Sequence, residues 1–421
     1  MKTLTMLGAL CASAAFATVP VIDTSTVSVR QDNGKTVIIE YTLDPASAGD
    51  AEPAIITVDI LTNAVGEAAA SVGGEHLKTL SGDVNRIIAQ GRHKILWFPA
   101  KEGLPEVRIP AAQVTARITA WPTNSPPTYW IIDLSSTANA QDRMCDRYYT
   151  DAAQIPGTVT NNIYKTDRLV LRRIPAKGVT WRQGSSESYG LYTYRYVSFS
   201  YDYYIAVYEF TKAQHNKISP TWNPQDENGI PVSWAFQHWR GNPVGASAYN
   251  WPSNGHESVS AGCLIDKLRT LVGGIPFDMP TDAEWEYACR AGASTKYCNG
   301  DTEADLAKVA WYTANADGVL HEVGLKEPNA WGLYDMHGNC AEYCLDKCSK
   351  RTSDPVWDPT GPMQDDIVLP TDNVNRFTTV RGGGRWGAYA SWAADKCTST
   401  YVQPLGYGEE SSTVRMTLPL Q

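Results

Sequence analysis

The sequence predicts an α+β protein in two parts, a small N-terminal β-sandwich followed by a loop-rich domain. Short runs typical of strands fill the chain from Val27 to about Trp121, separated by turns rich in Gly, Pro and Asp. The segment 122–128, which begins PTNSPP, predicts a linker, because proline stiffens the chain and excludes both helix and central strand. After Tyr297, the density of Gly, Asn, Pro and Trp predicts long, ordered loops with few regular elements.

Length and charge narrow the class of protein. A chain of 421 residues favours two domains, of roughly 100 and 300 residues, over one compact core. The net charge is −9, and the sequence contains no clustered run of Lys and Arg that could neutralise phosphates. We therefore expect no nucleic-acid partner.

The N-terminus, MKTLTMLGALCASAAFA, predicts a signal peptide over residues 1–17. It has an early lysine, an apolar run, and small residues at Ala15 and Ala17, so we expect cleavage after Ala17. The apolar run is about half the length of a membrane-spanning helix, and Leu10 is too large for a lipoprotein site at Cys11. No later segment reaches spanning length. These features predict a secreted, periplasmic or extracellular protein.

Residues 18–121 are predicted to form a sandwich of immunoglobulin or fibronectin type. The dipeptide Asn33-Gly34 predicts a hairpin between VSVR and TVIIEYTL. Further strands are expected at Ala54 to Leu61, His93 to Phe98 and Val114 to Trp121. No cluster of catalytic residue types occurs there, which favours a spacer or docking domain.

Residues 129–421 form the second predicted domain, with two helices in its middle. The first is expected within Ser260 to Val272, where apolar residues recur at helical spacing. The second has Thr281 as N-cap, Glu284 completing a capping box, and Gly292 as its end. Its predicted buried stripe is Trp285, Ala288 and Cys289.

Alternating tyrosines predict an aromatic face on a strand. Tyr192, Tyr194 and Tyr196 lie two residues apart, which places them on one side of an extended chain. Such a face can bind a sugar or peptide, or it can be half-buried packing. The sequence leaves both interpretations open.

Eight cysteines remain once Cys11 is removed with the signal peptide. Their even number in an exported chain permits disulfides, although the pairing cannot be read from sequence. Cys340, Cys344 and Cys348 recur every four residues, a spacing that would align them on one helix face. A metal–thiolate site there lacks a fourth ligand, which favours structural thiols or disulfides.

The stretch Asn329 to Glu342, NAWGLYDMHGNCAE, predicts a site for a hard cation. Its spacing would let the side-chain oxygens of Asp335 and Glu342 converge with backbone carbonyls near Gly338 and Cys340. Carboxylate and carbonyl oxygens in flexible geometry are the ligands of calcium.

Several segments resemble the sulfatase-modifying-factor family, whose founding member is the formylglycine-generating enzyme. They are FDMPTDAEWEYACRAGAS at Phe277 to Ser294, the stretch Asn329 to Glu342, VRGGGRW at Val380 to Trp386 and, more weakly, YYIAVYEFTKAQ at Tyr203 to Gln214. Their order and spacing match the family. The resemblance covers roughly Trp130 to the C-terminus.

The resemblance implies a compact variant of the C-type lectin fold and a bound calcium ion. Carried over to this chain, Asp335 and Glu342 would supply carboxylates, and Gly338 and Cys340 would supply carbonyls. The alternative is that this stretch is only a turn that organises the core. The family's second calcium site is not recognisable near Leu306 to Trp311, and it stays open.

The resemblance also raises the question of catalysis. The family's enzyme oxidises a sulfatase cysteine to formylglycine, using oxygen and a copper(I) ion held by two cysteines, and soft thiolates suit copper(I). The corresponding positions here are Ala388 and Ala393, which cannot bind copper. Cys397 is the only thiol in this region and a weak catalytic candidate, since one thiolate cannot reproduce a two-thiolate site.

Arg381 and Arg385 flank the triple glycine of VRGGGRW and are candidate substrate-binding residues. An arginine beside glycines could bind a carboxylate or sulfate through two hydrogen bonds. It could equally hold the loop to an internal Asp. The sequence does not decide between them.

Together these features predict an exported, calcium-binding family member that lacks the copper cysteines and acts as a non-catalytic binding module. Its expected partner is a peptide, a glycan or a cell-surface protein. The alternative is a formylglycine-generating oxidoreductase that uses copper and oxygen, with a sulfatase as its partner. Because a fold does not by itself determine activity, the choice between these functions depends on the residues of the site.

Overall fold

The computed structural model describes residues 20–32, 35–44, 53–62, 70–71, 79–102, 114–123, 125–135, 148–185, 194–220, 229–231, 239, 259–347, 353–359, 377–384, 393–406 and 412–420. The chain divides into two compact units. The described residues of the first unit end at Thr123, and those of the second begin at Ser125. The predicted signal peptide lies outside the described residues.

The first unit is built from strands in two sheets. One sheet has the order β1-β2-β7-β5, and in the other β3 lies between β4 and β6 and also pairs with β8. The strands are β1 (Val21–Asp32), β2 (Thr36–Asp44), β3 (Ala54–Thr62), β4 (Ala70–Ser71), β5 (Ser81–Gly82), β6 (Arg86–Ile88), β7 (Gly91–Trp97) and β8 (Val114–Pro122).

The predicted strands of the first unit are confirmed. Strands β1 and β2 pair antiparallel and end at the pair Asp32 and Thr36, as a hairpin requires, while the turn residues Asn33 and Gly34 lie outside the described residues. Alternation in β2 buries Val37, Ile39, Tyr41 and Leu43. Ile38, on the opposite face of β2, is buried as well.

The second unit also consists mainly of strands, connected by long loops. They are β9 (Tyr129–Asp133), β10 (Tyr148–Tyr149), β11 (Arg168–Ile174), β12 (Thr180–Gln183), β13 (Arg195–Ser198), β14 (Asp202–Ala206), β15 (Ala310–Trp311), β16 (His337–Gly338), β17 (Ala341–Lys347), β18 (Val356–Trp357), β19 (Phe377–Arg381), β20 (Gln403–Gly406), β21 (Ser412–Val414) and β22 (Thr417–Leu420). The larger sheets have the orders β10-β9-β11-β14-β22, β20-β19-β17-β21 and β12-β13-β18.

The helices of the second unit are short. They are α1 (Ile163–Thr166), α2 (Lys212–Ile218), α3 (Leu264–Leu271), α4 (Asp282–Arg290) and α5 (Glu303–Val309). The described part of the chain is thus mostly β with a few helices, which confirms the predicted fold class in this coarse form. No helix among the described residues is long and apolar enough to cross a membrane.

Helix α4 forms as the sequence predicts, because its signals are local. The Thr281 hydroxyl accepts a hydrogen bond from the Glu284 N–H at 3.1 Å, and the Glu284 carboxylate accepts from the Thr281 N–H at 2.8 Å. Trp285 and the rest of the predicted stripe are fully buried. The helix ends at Arg290, and Ala291 and the predicted closing residue Gly292 follow it in the left-handed region, with φ of 46° and 91°.

The predicted helical stripe of cysteines is wrong. Cys344 lies in strand β17, which pairs with both β19 and β21, and Cys340 directly precedes that strand. A spacing of four residues also keeps side chains on one face of a strand, so the pattern did not distinguish the two structures. Both thiols are buried, and Cys348 lies outside the described residues.

Candidate functional site

The predicted calcium stretch folds as a sequence of tight turns between α4 and β17. Asp335, Gly338 and Asn339 have φ of 56°, 78° and 58°, the left-handed region. At its start, the Asn329 amide donates to the carbonyl of Ala288 at 2.8 Å, which satisfies a backbone group at the end of α4. The stretch is therefore anchored to the helix at one end and to a sheet at the other.

Asp335 is buried and only partly hydrogen-bonded. Its Oδ2 accepts from the Gly324 N–H at 2.7 Å, and its Oδ1 is buried with no hydrogen-bond partner among the described residues. Burial raises the pKa of Asp335 to about 6, against the effect of that hydrogen bond and of the Arg415 charge. Asp335 thus has one free carboxylate oxygen inside the domain.

Glu342 is buried and fully hydrogen-bonded. Its Oε1 accepts from Arg415 Nη2 at 2.6 Å and from Nε at 3.1 Å, while its Oε2 accepts from Arg415 Nε at 3.0 Å and from Trp285 Nε1 at 2.7 Å. Both side chains of the pair are completely inaccessible to solvent. The carboxylate of Glu342 is therefore committed to an internal partner.

A second buried acid, Glu209, supports the same turn. Its two oxygens accept from the Cys340 N–H at 2.9 Å and from the Asn339 amide at 2.7 Å. Burial first, and then the charges of Asp335 and Glu342, raise the pKa of Glu209 well above its ordinary range. Glu209 precedes helix α2 in the chain, so residues distant in sequence shape the turn.

Of the four predicted calcium ligands, the structure offers an unengaged carboxylate oxygen only at Asp335. Gly338 and Cys340 were predicted to contribute backbone carbonyls; Gly338 lies in β16 beside Trp311 of β15, and Cys340 donates its N–H to Glu209. No group of three or more His, Cys, Asp and Glu residues is placed to hold a metal ion among the described residues. The donor set around Glu342, which is taken up by a guanidinium, does not fit a calcium ion, whereas Asp335 keeps one buried oxygen without a partner among the described residues.

Cys397 lies in a buried cluster with an imidazole. The His337 Nδ1 lies 2.7 Å from the Cys397 carbonyl, so Nδ1 carries the proton and donates to it. The Nε2 accepts from the Cys298 N–H at 3.0 Å and lies 3.6 Å from the Cys289 sulfur. Burial lowers the pKa of His337 to about 4. With both nitrogens engaged, this histidine is not placed to act as a base.

The Cys397 thiol is inaccessible and protonated at neutral pH. Its side chain is fully buried, and a Cβ on Gly383 would lie 2.9 Å from its sulfur. Burial, with the charge of Asp395, raises the pKa of Cys397 to about 12. A reactive thiol needs the opposite environment, exposed and electropositive. Ala393 caps the short helix that contains Cys397, and Ala388 lies outside the described residues.

Arg381 is held by internal carboxylates. Its Nε donates to Asp282 at 2.5 Å and its Nη2 donates to Glu286 at 2.9 Å, and all three side chains are buried. It also donates to the Ser399 carbonyl at 3.0 Å. The second alternative from the sequence, an arginine bound to an internal Asp, therefore describes Arg381. Arg385 lies outside the described residues.

A groove of about 1160 Å³ opens beside this cluster. Its walls come from β12, from the end of α4 and the turn after it, from the start of α5, and from residues 394–402. Aromatic rings and charges of both signs line it; the lining includes Trp181, Tyr297, Tyr401, Lys296, Asp301 and Glu303. The buried indole N–H of Trp181 has no hydrogen-bond partner among the described residues.

The predicted tyrosine face is exposed where the structure describes it. Tyr194 and Tyr196 are 43% and 50% exposed, and Tyr192 lies outside the described residues. Trp357, on the neighbouring strand β18, is 73% exposed, and Arg182 lies over the Tyr194 ring at 5.2 Å. Because Arg182 also lines the groove, the aromatic face and the groove are continuous.

Two residues of this site were missed by the sequence analysis, Glu209 and Arg415. Each had a signal, because each is a charge within an otherwise apolar run, AVYEF for Glu209 and TVRMTL for Arg415. A charged residue in a buried strand needs a partner. The sequence could not show that Arg415 meets Glu342.

Comparisons with known proteins agree with the resemblance of the motifs. The model of the sulfatase-modifying factor enzyme 1-like domain matches residues 197–403. This part of the chain belongs to the sulfatase-modifying factor family. The matched range includes Glu209, the turn from Asn329 to Glu342, and Arg381, so the buried clusters lie inside the family domain; Arg415 follows it.

Curated relatives of this sulfatase-modifying-factor domain include two formylglycine-generating enzymes. The protein of Streptomyces coelicolor is 35% identical over 101 residues, 20% of this chain and 31% of that protein. That of Mycobacterium tuberculosis is 38% identical over 76 residues, 15% and 25% of the two chains. The chaperone protein LppX of Paenibacillus barcinonensis is 25% identical over 193 residues, 37% and 66% of the two chains.

The chain spans between 10% and 66% of the length of the curated relatives it matches. Among solved structures it is similar to Treponema denticola variable protein 1, with 22% identity and a TM-score of 0.45. That match covers 60% of this chain and 95% of the other. The family assignment therefore rests on sequence.

Proposed function

We propose that this chain is an exported, non-catalytic binding module built on a sulfatase-modifying-factor domain of C-type lectin-like architecture. The observation that carries the proposal is the state of Cys397, a buried thiol with a raised pKa, beside a histidine whose two nitrogens are already engaged. A copper(I) site for a substrate thiol needs two accessible thiolates. The family resemblance puts alanines at both of those positions.

The binding surface in this proposal is the groove with its adjoining aromatic face. Large aromatic side chains give contact area at low entropic cost, and charges along the rim give orientation. Positively charged lysines and negatively charged aspartate and glutamate side chains line the groove. This mixture suits an extended peptide, such as a segment of a cell-surface protein, better than a neutral glycan.

Calcium binding is proposed at Asp335 alone, which is narrower than the four-residue site predicted from the sequence. Asp335 provides the free buried oxygen, and a cation there would neutralise a carboxylate that burial disfavours. Export is proposed from the signal-peptide pattern of residues 1–17.

The groove is tested by binding to arrays of synthetic peptides and of bacterial glycans. Trp181→Ala removes an aromatic wall and Lys296→Glu reverses an exposed charge, so each should weaken binding about tenfold or more, whereas Lys267→Glu on α3, away from the groove, should not. Peptide binding is the expected result. Equal binding by the wild type and all three variants would contradict the proposal that the groove is the binding surface.

A further inference from the structure

Arg415 brings a positive charge to the centre of the calcium stretch. Its side chain is fully buried, and every nitrogen of its guanidinium donates. Besides the three hydrogen bonds to Glu342, Nη1 donates to the carbonyls of Ala206 at 3.0 Å and Val207 at 2.8 Å, and Nη2 donates to the carbonyl of Tyr334 at 2.8 Å. One cation thus gathers a carboxylate and three backbone carbonyls.

We infer that Arg415 takes the place of a divalent cation at Glu342. A carboxylate and several backbone carbonyls around one positive centre form the donor set that a calcium ion collects. Here the same types of oxygen converge on a guanidinium, which is permanently charged and has five N–H donors to satisfy them. The chain supplies its own cation.

The hydrogen bonds of Glu342 support this assignment. Both oxygens of Glu342 accept from Arg415, and Oε2 also accepts from Trp285 Nε1 at 2.7 Å. An ion bound by Glu342 would compete with the guanidinium for the same two oxygens and would break hydrogen bonds of a pair that is fully buried. Breaking a buried ion pair is strongly destabilising, so the pair favours Arg415 over an added ion at Glu342.

The consequence is that the order of the turn at Glu342 does not depend on calcium. Arg415 joins the end of β14 at Ala206, the turn at Tyr334 and strand β17 at Glu342, which are remote in sequence. The inference does not rest on the proposed calcium ion at Asp335, because it concerns the oxygens of Glu342, both of which accept hydrogen bonds from Arg415. A module of this kind keeps its scaffold at any calcium concentration.

The experiment measures the Tm of the full chain in chelator and in excess calcium for wild type, Glu342→Gln, Arg415→Met, the double variant, and Asp335→Asn. We expect Arg415→Met to lower Tm by roughly 10 °C in both conditions, because it strands a buried carboxylate. The double variant should recover part of that loss, since the stranded charge is gone. The calcium-induced change in Tm should be the same for Glu342→Gln as for wild type.

Two results would overturn the inference. One is additive losses in the double variant, which would mean that Arg415 and Glu342 do not act together. The other is a calcium-induced rise in Tm that Glu342→Gln abolishes, which would make Glu342 a metal ligand. If Arg415→Met does not fold, the calcium response of Glu342→Gln alone decides. Asp335→Asn reports separately on the proposed calcium ion, so the two proposals can fail independently.

Discussion

At the scale of single residues, buried charges define the family domain. Removing an ion from water costs several kcal/mol, and attraction repays this only when the remaining hydrogen bonds are satisfied. Arg415 meets that condition with Glu342 and three carbonyls, and Arg381 meets it with Asp282, Glu286 and backbone carbonyls. These residues specify one arrangement of the loops.

Glu284 predicts how stability depends on pH. Burial raises the pKa of this N-capping-box carboxyl to about 7, from an ordinary value near 4.5. Between these values the folded state binds more protons than the unfolded state, so the contribution of Glu284 to stability is largest at low pH and falls as pH rises through 7. We expect Glu284→Gln, which does not titrate, to lose this dependence.

The measurement is the free energy of unfolding of wild type and Glu284→Gln by urea at pH 4.5 and pH 8. The wild type should lose about 3 kcal/mol relative to the variant over this range. The difference between the two proteins cancels the contributions of other titrating groups. One of these is His337, whose pKa burial lowers to about 4 and whose effect on stability has the opposite sign. A constant difference between the two proteins would contradict the raised pKa.

At the scale of elements, those that depend on local signals were predicted correctly, and those that depend on long-range pairing were not. Helix α4 followed from Thr281 and Glu284, which are three residues apart. Strand β17 did not, because its identity depends on pairing with β19 and β21, which lie far along the chain. The four-residue cysteine spacing fits a helix and a strand equally, so tertiary pairing decided the structure.

The pairing of β15 with β16 gives a prediction for Gly338. This glycine has a φ of 78°, and a Cβ there would clash with the backbone carbonyl of Trp311. Gly318 has a similar φ of 71° but open space around it. Gly338→Ala should therefore cost about 3 kcal/mol and Gly318→Ala about 1 kcal/mol, because only the first adds a backbone clash to the left-handed strain.

Chemical denaturation of the two variants measures this difference. Equal losses would mean that the approach of β15 to β16 is not tight, and the account of the turn would be wrong. A larger loss for Gly338→Ala with an unchanged slope against denaturant would support it.

At the scale of the whole molecule, motifs in the sequence identified the family, but they did not reveal which groups the stretch Asn329 to Glu342 brings together. Arg415 donates to Ala206, 209 positions away, and no local pattern encodes such a meeting. The groove is assembled in the same way, from β12, α4, α5 and residues 394–402. Motifs identified the family domain, and tertiary contacts determine its chemistry.

The central proposal is that this family domain binds a partner and does not oxidise a substrate cysteine. The most direct measurement incubates the purified full chain with copper(I), oxygen and a peptide containing Cys-x-Pro-x-Arg, and follows the peptide mass. Because the Cys397 thiol is buried and protonated, we predict no conversion of cysteine to formylglycine. Conversion by the wild type that is absent in Cys397→Ala would contradict the account.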